Sequence, residues 1–224
     1  NAFDKKGMQI ADILAGTGIR SIRFLKELEK GKIKNISIND ASSGAFNGIK
    51  KNLILNKIRT SKKVSVCNED ANLFLLKSSG FDYIDIDPFG SPIPFLDSSV
   101  LRLSRDGILA VTATDTAALA GTAPSACIRK YSSKPLRYEF MHETGIRLLI
   151  KKVQEIGAQH EKALFPIFSY FHEHYYRVFF RCEKGRQKAD EVLKKHGFIL
   201  YCRKCLHRRI AFDIFNDRIC ENCR

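Results

Sequence analysis

No run of apolar residues in this chain approaches the length of a membrane span, and no signal-peptide pattern opens it. Integral helical membrane proteins and secreted, disulfide-stapled domains are therefore excluded as expectations. Internal repeats and low-complexity tracts are also missing, which removes solenoids and disordered linkers. Acidic residues are scarce: 38 lysines and arginines face 24 acids, a net charge of +14. From Lys50 to Lys63 six basic residues occur without one acid. Such an excess favours a polyanionic partner, because each neutralised phosphate releases counterions; a solvated basic surface is the plainer alternative. The chain opens on Asn1 rather than Met and reads as part of something longer.

What is present is an ordinary soluble composition, 44% apolar and 28% charged, over 224 residues: enough for one substantial core and a small appendage. Apolar runs alternate with helical periodicity. Strands are expected at 8–15, 33–40, 63–70, 81–87 and 107–115, with helices at 19–30, 44–56, 71–78 and 94–104 between them. That alternation means βαβ crossovers and a mostly parallel sheet. After a polar loop, a helix is expected near 136–157. The runs "ALFPIFSYF" and "HYYRVFFRC" follow with a link too short for a crossover, so they form an antiparallel hairpin. A parallel α/β sheet ending in such a hairpin is the pattern of a Rossmann-like methyltransferase sheet. "EKGRQKADEV" marks a composition shift, so the domains are expected at 1–185 and 186–224.

In such sheets ligands bind at the carboxyl ends of the strands, where strand order reverses. "ILAGTGIRS" puts Gly16 and Gly18 in the first strand-to-helix turn, where small residues let backbone approach a ligand. Asp40 ends the second strand, placed for ribose hydroxyls. Asp70, followed by Ala71, ends the third, where a carboxylate can accept from an adenine amine. Each acid taken singly also fits a helix N-cap. A nicotinamide cofactor would use the same acid after strand two, but Ser21 stands where its third fingerprint glycine belongs. S-adenosylmethionine needs no phosphate cradle and suits the pattern better.

"FDYIDIDPFGSPIPFLD" ends the fourth strand in Asp87-Pro88-Phe89-Gly90. A turn alone needs only the proline and glycine. An ionised carboxylate is acceptor-only and suits a base amine. Phe89 offers a face on which a base can stack. A proline turn with a capping aspartate and a core phenylalanine is the structural alternative.

These blocks, "ADILAGTGIRSIRF", "INDASSGAF", "NEDAN", "FDYIDIDPFGSPIPFLDSSV", "GILAVTATDTAALAG" and "CIRKYSSKPLRYEFMHETGIRLL", resemble the tRNA guanine-N2 dimethyltransferases that modify guanine 26, most of all the archaeal branch. The likeness runs from about residue 8 to 185. It implies Asp87 as catalytic carboxylate and Phe89 as the ring that holds guanine. It also implies Thr17, Gly18, Arg20, Asp40, Asp70 and Ala71 around S-adenosylmethionine, with Arg20 on the cofactor's carboxylate. Gly16 stands where the family carries a small non-glycine residue. An upstream segment with a phenylalanine and an arginine at the active site is implied before residue 1; without it, weak cofactor binding and little methylation are expected. A cytoplasmic location with tRNA as partner follows. Rival readings are an amino-methyltransferase of adenine or protein glutamine, which Asp87 and the single proline argue against, and a zinc-bearing RNA-binding fragment without catalysis.

Seven cysteines fall into two groups. Cys67, Cys127 and Cys182 are isolated and read as inert thiols. Cys202, Cys205, Cys220 and Cys223 are spaced C-x2-C-x14-C-x2-C, the pattern of a four-thiolate zinc ribbon with a short hairpin between its knuckles. The nearby Arg203, Lys204, Arg208 and Arg209 fit tRNA phosphates or plain solvent equally. His142 and Glu143 read as part of a helix-start salt-bridge cluster or as tRNA backbone contacts rather than a metal site, and His172 and His174 as exposed turn residues.

Overall fold

The structure, a computed structural model, describes residues 5–214 and 219–223. In chain order its elements are β1 (Met8–Asp12), α1 (Ile19–Glu27), β2 (Ile33–Asn39), α2 (Ser43–Leu55), β3 (Val64–Cys67), α3 (Ala71–Lys77), β4 (Phe81–Ile86), α4 (Ile93–Arg102), β5 (Leu103–Ala113), α5 (Thr116–Leu119), α6 (Pro124–Tyr131), α7 (Met141–Gln159), β6 (Lys162–His172), β7 (Tyr175–Lys184), α8 (Arg186–Leu193), β8 (Phe198–Tyr201) and β9 (Arg208–Ala211). Seven strands form one sheet in the order β3-β2-β1-β4-β5-β7-β6. The first five run parallel. β7 lies between β5 and β6, antiparallel to both. The expected α/β sheet with a terminal antiparallel hairpin is therefore what the chain builds.

Successive strand residues face opposite sides of a sheet, so a strand covered on both faces must be apolar at nearly every position. β1 shows the consequence. Ile10 joins a core with Ile22, Ile36, Ile38, Ile49 and Leu53 on one face. Ala11 joins the larger core on the other face, with Phe74, Ile84, Leu96, Leu109, Leu149 and Phe180. Helix α7 lies close against the hairpin because Gly157 lacks a side chain: a Cβ there would fall 2.3 Å from Leu164 Cδ2. The buried Lys162 ammonium donates to the carbonyls of Val100, Leu101 and Leu103 where α4 ends and β5 begins.

Three local expectations shift. The segment read as a polar loop after β5 holds α5 and α6, and α7 starts at Met141 rather than near 136. The string "TAALAGTAPSAC" is rich in small residues, so its periodicity is weak. It becomes helical because Leu119, Cys127 and Tyr131 find the core. β5 begins at Leu103, directly after α4, with Asp106 at φ +59° and a register shift against β4. In the tail, β8 precedes the first cysteine pair and β9 follows it, so the hairpin encloses that knuckle instead of lying between the two pairs. The knuckle is itself a tight turn: Leu206 sits at φ +62°, Cys202 N–H donates to His207 O and Leu206 N–H to Cys202 O. Residues 215–218, within the expected hairpin, lie outside the described residues. No helix among the described residues is long and apolar enough to cross a membrane.

Candidate active site

Strand order reverses between β1 and β4, and the segments after the carboxyl ends of these two strands and of β2 and β3 carry the candidate residues. Beyond β1 the chain turns through residues 13–18 into α1. Gly18 is at φ +72°, and a Cβ there would meet Ile49 Cγ2 at 3.2 Å, so both conformation and space demand glycine. Gly16, at φ +54°, faces open space: a Cβ would meet nothing within 4 Å. Its N–H donates to Asp40 Oδ2 at 2.8 Å. Asp40 Oδ1 accepts from Ser42 N–H at 2.9 Å, so this carboxylate ties the β1 turn to the entry of α2. It is not the cap of α2; Ser42 is, accepting from Ala45 N–H at 3.4 Å. Thr17 is exposed, and its carbonyl accepts from Asn52 Nδ2 at 2.9 Å.

Asp70 does cap a helix. Its Oδ1 accepts from the N–H groups of Asn72 and Leu73, both at 3.0 Å, opening α3, while the residue stays exposed. Ala71 is buried against the larger core. The buried Asn39, which sequence reasoning passed over, joins three strand ends. It donates to the carbonyls of Ile13 and Glu69 and accepts from Glu69 N–H. Its only signal is an amide ahead of Asp40 in "IND".

Asp87 lies one residue past β4 with its carboxylate about a third exposed. Arg20, in the first turn of α1, bridges from Nη2 to Asp87 Oδ2 at 2.6 Å and from Nη1 to Asp85 Oδ1 at 2.7 Å. Arg20 is thus neither a loose surface residue nor a free one. Asp85 is buried and also accepts from Tyr83 OH at 2.7 Å and from Arg177 Nη2 at 2.6 Å. Burial lowers the pKa of the Arg177 guanidinium, but Asp85 and its neighbours outweigh it, and the net shift is upward. Neither Arg177 nor Asp12 was singled out beforehand; a charge inside each apolar run was the available signal.

Asp12, fully buried beside this network, accepts from Ser21 Oγ at 2.8 Å. Burial, then the Asp85 carboxylate, pushes its carboxyl up to about 7. An acid whose folded pKa exceeds its unfolded one holds its proton longer in the folded state. Its contribution to stability is therefore present below about pH 4 and is lost as pH rises to about 7. The melting temperature of Asp12→Asn, relative to the parent, should climb across that window and level off above it, by several °C at roughly 2–4 °C per kcal/mol. A difference that does not vary with pH would show that Asp12 is ionised throughout.

Phe89 projects fully into solvent, so it is not the core phenylalanine of a plain turn. The loop beneath it is held by Thr114, one residue past β5: Gly90 N–H donates to Thr114 Oγ1 at 2.5 Å, and Thr114 N–H to Gly90 O at 2.9 Å. Ser91 Oγ meets Tyr131 OH at 3.2 Å, and Tyr131 OH donates to Asp115 at 2.7 Å. Two pairs of candidate residues are in direct contact, Gly16 with Asp40 and Arg20 with Asp87, and Asp70 stands on the next strand end. A concavity of about 600 Å³ lies elsewhere, between α7 and β6, lined by Arg147, Ile150, Pro166 and Phe168 among others. No strand-end residue contributes to it, so volume is a poorer guide here than the converging polar groups.

Cys202, Cys205, Cys220 and Cys223 bring their four sulfurs within 4.8 Å of one another, the only such ligand cluster among the described residues. Two S–S separations are 3.6 Å. A tetrahedron with metal–sulfur bonds of about 2.3 Å has edges of about 3.8 Å, so the thiols fit a metal ion. The hairpin beside them docks on the main body through Tyr201, whose ring centroid is 4.4 Å from that of Tyr138, and through Arg208 over Phe140 at 4.7 Å. His142 is a packing residue, stacked on Phe171 and bonded to Tyr176 OH, while Glu143 pairs with Arg147. His172 and His174 are exposed at the hairpin turn. Cys127 and Cys182 are buried, and burial raises both thiols to about 11, as inert cysteines require.

The model of the N2,N2-dimethylguanosine tRNA methyltransferase family matches residues 1–224. The tRNA (guanine(26)-N(2)/guanine(27)-N(2))-dimethyltransferase of Aquifex aeolicus is 45% identical over 219 residues, covering 96% of this chain and 55% of that protein. The tRNA (guanine(26)-N(2))-dimethyltransferase of Methanothermobacter thermautotrophicus is 43% identical, covering 89% and 51%. Among solved structures, Trm1 from Pyrococcus horikoshii in complex with S-adenosyl-L-methionine superposes with a TM-score of 0.85 at 36% identity, over 92% of this chain and 58% of that one. Trm5b from Pyrococcus abyssi, at 14% identity and a TM-score of 0.55, shares the fold alone. The chain spans about half the length of the curated relatives it matches.

Proposed function

This chain belongs to the N2,N2-dimethylguanosine tRNA methyltransferase family, and on that premise we propose that it carries the methyl-transfer unit of an S-adenosylmethionine-dependent enzyme acting on the exocyclic N2 of guanine 26 in tRNA. The observation that carries this reading is the contact of Asp87 with Arg20 at the β1–β4 switch point, beside an exposed Phe89 ring. The domain at 1–185 is the catalytic unit, and 186–224 begins a second unit with a zinc ribbon. Helix α8 ties the two together, with Ala189 and Val192 buried. The work is cytoplasmic, where tRNA is.

The residues fit the cofactor. Space lies open over Gly16. Asp70 keeps Oδ2 outside the hydrogen bonds that cap α3. Arg20 has five N–H donors, of which its two acid partners occupy two. Asp40 holds the turn through Gly16, so its own acceptors reach ribose hydroxyls only in addition to that bond. S-adenosylmethionine, when bound, supplies an electrophilic sulfonium methyl. Asp87 accepts the hydrogens of the base amine and so directs the nitrogen lone pair outward. One of its oxygens remains for this while Arg20 holds the other. Phe89 gives the base a stacking face worth roughly 1–3 kcal/mol, once guanine has been extruded from its stack. After one transfer and loss of a proton to solvent the nitrogen keeps one hydrogen, so Asp87 still has a partner and a second methyl can follow. The alkylated nitrogen is acidic, so no strong base is needed to take its proton.

Mass spectrometry of tRNA nucleosides after incubation with the full-length protein and S-adenosylmethionine tests the reading. N2-methylated and N2,N2-dimethylated guanosine, lost when guanine 26 is replaced, is the expected product. Methylation of adenine, or tight cofactor binding without any RNA product, would overturn it.

A further inference from the structure

Arg177 lies near the start of β7, beside the carboxyl end of β5, with its side chain only 6% exposed. Its register neighbour on β5 is Thr112, whose hydroxyl receives Nη1, while Nη2 goes to Asp85. A buried ion pair is a weak source of stability, since apolar side chains of similar volume commonly serve as well. What this pair does have is direction. Asp85 presents one oxygen to Arg177 and the other to Arg20, and Arg20 in turn holds Asp87. The series Thr112, Arg177, Asp85, Arg20 and Asp87 therefore runs from β5 through β7 and β4 to α1 and the loop after β4. Tyr83 OH steadies the middle of it.

We propose that Arg177 and Asp85 are positioning residues of the methyl-transfer site: their buried pair fixes Arg20 so that its free N–H donors meet the cofactor's carboxylate while its Nη2 aims Asp87 at the base amine. The proposal rests on the function given above. Arg177 supplies Asp85 with a counter-charge of its own. Without it, Arg20 is the one cation among the described residues left bridging two acids, Asp85 and Asp87, with the raised Asp12 carboxyl behind them. Asp85, buried and unable to turn to water, then draws Arg20 inward and away from Asp87. Both the cofactor end and the base end of the site lose their geometry together.

The test is a double-mutant cycle in the full-length protein, reading cofactor affinity by calorimetry, kcat and KM for tRNA, and the melting temperature. Arg177→Met is expected to weaken cofactor binding and lower kcat by about tenfold each, the scale of one charge-assisted hydrogen bond. Arg177→Lys should recover part of the loss. In an Arg20→Ala background, Arg177→Met should cost cofactor affinity no further, because the residue it positions is gone. A loss confined to melting temperature, or one that adds fully to that of Arg20→Ala, overturns the proposal. Should Arg177→Met fail to fold, Thr112→Val removes only one hydroxyl. It should give the same non-additive loss at about threefold, and unchanged affinity and kcat would overturn the proposal equally. Absence of guanine methylation by the parent protein sinks the functional reading instead, while the cofactor-affinity cycle still decides this one.

Discussion

Replacing Asp87 with alanine is expected to abolish guanine methylation, by at least about 100-fold in kcat, while cofactor affinity stays within a few fold. The first half follows from orientation: the base amine loses the acceptor that directs its lone pair, and misplacement of a reacting group by about 1 Å costs on that scale. The second half follows from Asp85, which keeps Arg20 anchored through Nη1 when Asp87 is gone. Asp87→Asn is the sharper variant. It preserves shape but turns an amide donor toward the amine's hydrogens, and it should be equally inactive. Product analysis by nucleoside mass spectrometry with cofactor calorimetry in parallel checks both halves, and a fully active Asp87→Ala enzyme would remove this residue from the mechanism.

Chelation is expected to unfold the cysteine-bearing tail and leave the seven-stranded sheet intact. The segment has little core of its own: Ile210, Phe212 and Ile219 are exposed, and among its described residues Ala211 is the one deeply buried apolar side chain. Metal binding to four thiolates supplies folding free energy on the order of 10–16 kcal/mol in small zinc peptides, far more than so short a hairpin gains by packing. About one zinc per chain should be found by metal analysis. Its removal should open residues 198–223 to proteolysis, while the thermal transition of the sheet moves little. Cys220→Ser should reproduce the effect without chelator. The contacts of Tyr201 and Arg208 on Tyr138, Phe140 and Glu139 would be lost at the same time. Retention of protease resistance after metal removal would assign the tail's stability to that docking surface instead.

How much could be read in advance varied with the range of the interaction. The strand–helix alternation was visible because burial on both faces writes itself into consecutive residues, as in Met8–Asp12 and Phe81–Ile86. The four-cysteine cluster was visible because a set of thiols that can close on one metal ion demands fixed spacing. Asp70 as a cap follows from its place directly before α3, a matter of two or three residues. The small-residue helices α5 and α6 were not visible, since alanine and glycine carry no periodic signal until Leu119, Cys127 and Tyr131 have a core to enter.

The amino-acid sequence alone determined the kinds of elements, the ligand chemistry of the tail, and the acids and the ring offered at the strand ends. All of these are set by neighbours within a few positions. Only the tertiary structure decided that β7 slots between β5 and β6, and with it that Arg177 meets Asp85 across 92 residues and Arg20 meets Asp87 across 67. The local sequence shows each charge but not its partner, because the carboxylate that balances a buried guanidinium is brought to it only by the order of the strands.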